Sequence, residues 1–271
     1  MSLTINTNVN SLFAQTAISN NNINQAKAMQ QLSTGLQINQ ASDNSAGLAV
    51  SQSMTEQING LGQSIANAND GVNMLQTADS AMSTQQQMLQ TMFTLATQSA
   101  NGTYSTAQRS YMNTEFSQLS SQISNIASQT TWNGQALLAA TSSVVFQVGG
   151  TSGFTITQNL KKLNASGLAI NAAAVDTQTN ASSALSTIDA ALTKINNQRA
   201  SVGATVNQLT YAAQDMTNVQ QNITTSRSSI EDTNYAAAST NLSRSQIIAQ
   251  AATAMLAQAN QQSQNVLTLL K

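Results

Sequence analysis

The run from Val50 to Met82, VSQSMTEQINGLGQSIANANDGVNMLQTADSAM, decides the fold. Its apolar positions Val50, Met54, Ile58, Leu61, Ile65, Ala68, Val72, Leu75, Ala78 and Met82 step by three or four residues throughout. That is the period of one face of an α-helix, not the alternation of a strand. Gly60, Gly62 and Gly71 interrupt it. Each costs about 1 kcal/mol against Ala inside a helix, so the spacing predicts close packing there. The chain contains no Pro, and nothing forces this helix to stop or kink. One helix is predicted over about 44–100, ended by the turn signal Asn101-Gly102-Thr103.

Outward from this run the same period continues. Tyr111, Phe116, Leu119, Ile123 and Ile126 predict a second helix that stops at Trp132-Asn133-Gly134. Leu185, Ile188, Leu192, Ile195, Val202, Val206 and Leu209 predict a long helix over about 181–225. Between them the period changes to two. Val144, Phe146 and Val148, then Phe154 and Ile156, alternate around Gly149-Gly150-Thr151-Ser152-Gly153. That pattern reads as a β-hairpin with a flexible turn, which must pack on helices to be stable in water.

The two chain ends carry heptad seams. Ile248, Ala252, Met255, Ala259, Gln262, Val266 and Leu269 step by four and three near the C-terminus, with Thr240 or Ser243 as candidate cap. Ile5, Val9, Leu12, Thr16, Ser19, Ile23 and Ala26 repeat the spacing more weakly at the N-terminus. Helices this weak depend on packing, which predicts that the ends pair with each other or with other copies of the chain. The expected fold is mainly α: a long antiparallel helical rod with terminal coiled-coil helices and one small β-hairpin region.

Composition excludes whole classes of chemistry. The 271 residues include no His and no Cys, so zinc sites of the usual donors, thiol nucleophiles and Ser-His-Asp triads are impossible within the chain. Nine Lys+Arg stand against ten Asp+Glu, and charged residues are only 7%. Nucleic-acid binding and polybasic membrane anchoring both need clustered cations, so neither is expected. No apolar run reaches membrane-spanning length, and Met1 to Asn8 lacks the features of a cleavable secretion signal. Asn and Gln make up roughly a quarter of the chain, far above ordinary usage. The Arg227, Glu231 and Asp232 cluster reads as surface ion pairing rather than paired catalytic acids. Asn101-Gly102-Thr103 fits an N-glycosylation pattern but reads first as a helix terminator, and the Ser/Thr residues near 141–157 are candidate glycan acceptors. No cofactor, metal or catalytic residue is predicted.

Several segments together resemble bacterial flagellin, the filament subunit of the flagellum. They are Ile5-Asn6-Thr7-Asn8, Leu32-Ser33-Thr34-Gly35-Leu36-Gln37-Ile38-Asn39, Ser45-Ala46-Gly47-Leu48-Ala49-Val50, Ala66-Asn67-Ala68-Asn69-Asp70-Gly71 and Trp132-Asn133-Gly134. The C-terminal part adds Ser226 to Tyr235, Leu242 to Ile247, Leu256 to Gln261 and Gln264 to Leu267. Each is weak alone; their order and placement at both ends are specific. The resemblance implies 1–42 and 233–271 as the two halves of an inner coiled-coil domain. It implies 43–140 and 179–232 as the helices of a rod domain, with 141–178 a short β-hairpin region in place of outer domains.

It further implies an extracellular homopolymer for swimming motility, exported unfolded by the flagellar type III apparatus. An export chaperone, filament cap and hook-junction proteins would be its partners. The polymerisation seam would include Ile5, Val9, Leu12, Ile23, Ile248, Met255, Val266 and Leu269. A flagellin-like hook-filament junction or surface-binding protein is the alternative reading. The sequence also departs from the family, which commonly has Arg at the positions of Gln37 and Ala66. Where Thr91-Met92-Phe93-Thr94 stands, enterobacterial flagellins carry a charged run recognised by the innate receptor TLR5. Leu95 and Gln98 are kept but the charges are not, so weak or absent receptor recognition is expected.

Overall fold

The computed structural model describes residues 7–150 and 153–269, with side chains up to Gln261. The chain divides into a terminal unit, Met1–Glu56 with Asn222–Lys271, and a central unit, Gln57–Gln221. Among the described residues there are six helices and two small antiparallel sheets.

The terminal unit is built on α1 (Val9–Thr34) and α6 (Tyr235–Leu269). Asn8 caps α1, its side chain accepting from the Ser11 N–H at 3.1 Å. The helix ends where Gly35 turns left-handed at φ 74°, a conformation that costs Gly no Cβ clash. Beyond it, residues 35–37 run beside 231–233: the Gln37 N–H donates to Glu231 O at 2.6 Å, and the Thr233 N–H to Gly35 O at 2.8 Å. Helix α6 starts at Tyr235, earlier than the expected caps. Asn234 takes that role, its Oδ1 accepting from the Ala237 N–H at 3.1 Å. Thr240 is one turn inside, its hydroxyl bonded back to Ala236 O.

The long predicted helices are present. Helix α2 covers Ser45–Ala100, α3 covers Thr106–Gln129 and α5 covers Gln178–Glu231. A capping box opens α3: Ser105 Oγ accepts from the Gln108 N–H, and the Gln108 side chain from the Ser105 N–H. Trp132-Asn133-Gly134 does more than stop α3. Asn133 and Gly134 take positive φ (47° and 79°) and turn a two-residue hairpin, β1 (Thr131–Trp132) against β2 (Gln135–Ala136). The larger hairpin pairs β3 (Ser142–Gln147) with β4 (Thr155–Leu160), Phe146 opposite Ile156. A short helix, α4 (Ala165–Leu168), is not legible in the sequence because one turn has no measurable period.

The core lies largely where the periodicity puts it, although Val50 and Tyr111 of the expected faces are exposed. Leu75, Met82 and Leu89 of α2, Phe116 and Ile123 of α3, Leu160 of β4, and Ile188, Ile195 and Leu209 of α5 are all fully buried. Phe146 packs where α2 carries Gly71, and a Cβ on that glycine would stand 2.8 Å from the Phe146 ring and 3.1 Å from Leu209. Gly60 likewise admits the backbone of Gly150 at the hairpin tip. Amides bond across the core: Gln198 Nε2 donates to Asn159 O at 2.9 Å, and Thr205 donates to Gln158 Oε1 at 2.5 Å. Part of the high Asn/Gln content therefore ties elements together through side-chain hydrogen bonds.

Candidate self-assembly surface

The two terminal helices meet on a face other than the one the apolar spacing predicts. Along α1 the buried and half-buried residues at this spacing are Ser11, Ala14, Ile18, Asn21, Gln25, Ala28 and Leu32, with Gln31 half-buried beside the last. Along α6 they are Ala238, Leu242, Ser245, Ala249, Ala252, Leu256 and Ala259. Both sets step by three and four, the spacing of a coiled-coil seam. Two hydrogen bonds set the register. Asn8 Nδ2 donates to Ala259 O at 3.0 Å, and Asn21 Nδ2 donates to Ser245 O at 2.7 Å. The helices therefore run antiparallel, which places Ala14 across from Ala252 and Ala28 across from Ala238.

The seam residues named from sequence lie elsewhere. With Ser11 and Ala14 at heptad positions a and d, Val9 and Ile23 fall at f and Leu12 at b, on the side turned away from the partner helix. Their exposures are 51%, 64% and 64%. On α6, Ile248 and Met255 flank the seam at g and are 43% and 65% exposed. Of the expected α6 seam, Ala252 and Ala259 do face α1. Ile5 and the side chains of Val266 and Leu269 lie outside the described residues. The misreading has a physical cause. Apolar size points to the core, but most of the contact here is made by Ala, Ser and amides, with Ile18, Leu32, Leu242 and Leu256 half-buried among them. Small residues allow closer helix approach than bulky side chains.

The pair keeps Ile18, Leu32, Leu242 and Leu256 half-buried in its seam, while most of its described large apolar side chains lie outside. Phe13, Met29 and Ile247, absent from the predicted seam, join the exposed set. Their only sequence signal is apolar size at positions out of phase with the Ala/Ser repeat.

Electrostatics contribute little to this surface. Among the described residues the ion pairs are Lys27–Asp43 at 2.8 Å, Arg199–Asp79 at 2.8 Å and Arg227–Glu231 at 3.8 Å. Asp43 is held below the usual carboxylate range by its bond to Lys27 and by the Asn39 and Gln40 N–H groups. Arg199 is held above the usual guanidinium range by its hydrogen bond to Asp79, and also donates to Gln86 at 2.7 Å. In the predicted cluster, Ser228 donates to Asp232 at 2.5 Å and Arg227 to Thr55 at 3.2 Å. Every member therefore has a structural partner. No group of three or more acidic, His or Cys side chains converges among the described residues.

The receptor-type stretch on α2 is split by the helix. Met92 and Leu95 are buried, Met92 within the hydrophobic core, so neither can form part of a surface patch. Thr91, Phe93, Thr94 and Gln98 remain exposed and carry no charge.

Residues 5–143 match the bacterial flagellin N-terminal helical region, and residues 185–270 match the bacterial flagellin C-terminal helical region. The chain belongs to the bacterial flagellin family. A flagellin of Halalkalibacterium halodurans is 41% identical over 254 residues, covering 92% of this chain and 93% of its own. The flagellar filament 33 kDa core protein of Treponema phagedenis is 36% identical over 284 residues, covering 98% of this chain and 99% of its own. Among solved structures, a crystal structure of Bacillus cereus flagellin superposes with a TM-score of 0.51 at 29% identity. It covers 56% of this chain and 88% of that one. This flagellin is a structural subunit of the extracellular flagellar filament. No described helix is long and apolar enough to cross a membrane.

Proposed function

We propose that copies of this flagellin join through the outward faces of their terminal helices. Val9, Leu12, Phe13, Ile23 and Met29 of α1, with Ile247, Ile248 and Met255 of α6, would be covered by neighbouring copies. The carrying observation is the outward face of the α1–α6 pair: most of its described large apolar side chains point away from the contact within one chain. An apolar stripe of that kind is costly to leave in water and marks an interaction surface. A seam of Ala, Ser and amides, with only Ile18, Leu32, Leu242 and Leu256 as larger apolar members, holds the pair modestly, so burial between copies adds what the single chain lacks. With net charge −1, little repulsion opposes crowding of copies. The chain thus acts by burying surface rather than by catalysis.

Export and tip assembly fit the same chemistry. A chain without Cys or Pro forms no wrong disulfides and waits on no prolyl isomers when it folds after unfolded passage. The flagellar type III apparatus, a chaperone for the C-terminal segment, the filament cap and hook-junction proteins are the partners this reading assigns.

The test is seeded assembly of Leu12→Asp, Ile23→Asp and Met255→Asp, followed by light scattering and electron microscopy. An Asp at a covered position must leave water, costing several kcal/mol, so elongation should fail. Circular dichroism of the unassembled chains should stay close to the parent, because these side chains do not face the partner helix. Normal filaments from all three would remove this face from the contact between copies.

A further inference from the structure

We infer that Met29 and Met255 are sites of reversible thioether oxidation that controls self-association, an inference that rests on the assembly face proposed above. The chain has ten methionines and no cysteine, so no thiol competes for a two-electron oxidant. Met29 and Met255 are 55% and 65% exposed, whereas Met74, Met82, Met92 and Met216 are buried at 5% or less. The exposed pair sits on the terminal unit and the buried four on the central unit. Met29 lies beside Ala28, and Met255 beside Leu256, so both flank the α1–α6 seam at the border of the outward apolar face.

The oxidant is hydrogen peroxide or another peroxide of that class. A sulfur lone pair attacks the distal peroxide oxygen and the O–O bond breaks. An S–O bond forms and water leaves. Sulfur loses two electrons, and the peroxide gains them. The product replaces a flexible apolar side chain with a polar one, and thiol-dependent sulfoxide reductases reverse the change. A sulfoxide that must be buried between copies without a hydrogen-bond partner disfavours the contact. The exposed thioethers would therefore make unassembled chain sensitive to peroxide, while chain already in a filament keeps them covered.

The experiment treats purified full-length chain with hydrogen peroxide, maps sulfoxides by peptide mass spectrometry and measures seeded elongation. Met29 and Met255 should oxidise well before Met74, Met82, Met92 and Met216, and elongation should fall about tenfold. Methionine sulfoxide reductase should restore it. In Met29→Leu/Met255→Leu, elongation after peroxide divided by elongation before it should stay near one. If that variant fails to fold or assemble, the reductase arm on the parent chain decides alone. Equal oxidation of buried and exposed methionines, unchanged elongation of oxidised chain, or no recovery with reductase would each overturn the inference. Normal elongation of Leu12→Asp, Ile23→Asp and Met255→Asp would instead overturn the assembly face itself.

Discussion

Asn21 Nδ2 donates to the main-chain carbonyl of Ser245 at 2.7 Å, joining positions 224 residues apart. Both residues are buried, in a seam whose other members are Ala, Ile and Leu with one Ser and one Gln. A polar strap in an apolar seam sets register more than it adds stability. With the Asn8 bond to Ala259 it fixes which turn of α1 faces which turn of α6. That register leaves most of the described large apolar side chains outside.

Replacing the strap separates its two effects. Asn21→Ala loses the bond and leaves a small void, for a cost of about 1 kcal/mol. Asn21→Leu should match or exceed the parent in stability, because it removes a buried polar group while keeping volume. Thermal unfolding followed by circular dichroism distinguishes them. An unchanged midpoint for Asn21→Ala would show that the bond contributes nothing.

Two glycines in helices should respond to Ala with opposite signs. At Gly203 of α5 nothing stands within 4 Å of an added Cβ, so Gly203→Ala should gain about 1 kcal/mol from helix propensity. At Gly71 the same Cβ meets Phe146 at 2.8 Å and Leu209 at 3.1 Å. Overpacking there costs about 1–3 kcal/mol and outweighs the propensity gain. Denaturant midpoints of the two variants should move in opposite directions, and a stabilised Gly71→Ala would contradict the packing described.

The exposed part of the receptor-type stretch should signal weakly. Thr91, Phe93 and Thr94 give no charge-assisted hydrogen bonds to a partner. Reporter cells expressing TLR5 should respond far less to this monomer than to an enterobacterial flagellin. Restoring Arg, Arg and Glu at Thr91, Phe93 and Thr94 should raise the response, because all three side chains reach solvent. A strong response from the unaltered chain would place recognition elsewhere.

Acid sensitivity should begin only below the physiological range. The chain has no His, so no ordinary side chain titrates between about pH 5 and 8. Asp43 is lowered by Lys27 and by the Asn39 and Gln40 N–H groups. The folded chain therefore takes up this proton less readily than the unfolded chain does. Its stabilisation is complete above the unfolded value of about 4 and is lost as pH falls through the folded value. Thermal midpoints should be flat from about pH 5 to 8 and fall on further acidification, and Asp43→Asn should flatten part of that acid limb. A transition near about pH 6 to 7 would require a strongly shifted carboxylate and would contradict this expectation.

Long-range periodicity makes most of the central unit readable from the order of its amino acids. Val72, Leu75, Ala78 and Met82 repeat on one face of α2, and Ile188, Ile195, Val202 and Leu209 repeat on α5, because a helix must place its core residues every three or four positions. The alternation through Val144 and Phe146 reads correctly as a strand for the same reason. Single turns do not show: α4 is too short to display a period, and the Asn133-Gly134 hairpin looks only like a stop.

At the ends, sequence determined that two helices carry heptad spacing, that charge contributes little, and that no His or Cys chemistry exists. It could not determine which face of each helix turns inward. Spacing alone is satisfied by several phases around the same helix, and hydrophobic size favoured Leu12 and Met255. Only the tertiary contact chose Ala14, Asn21, Ala28 and their counterparts on α6. Small residues let the helices approach and the Asn21 strap bonds across, and both effects depend on a second helix lying alongside.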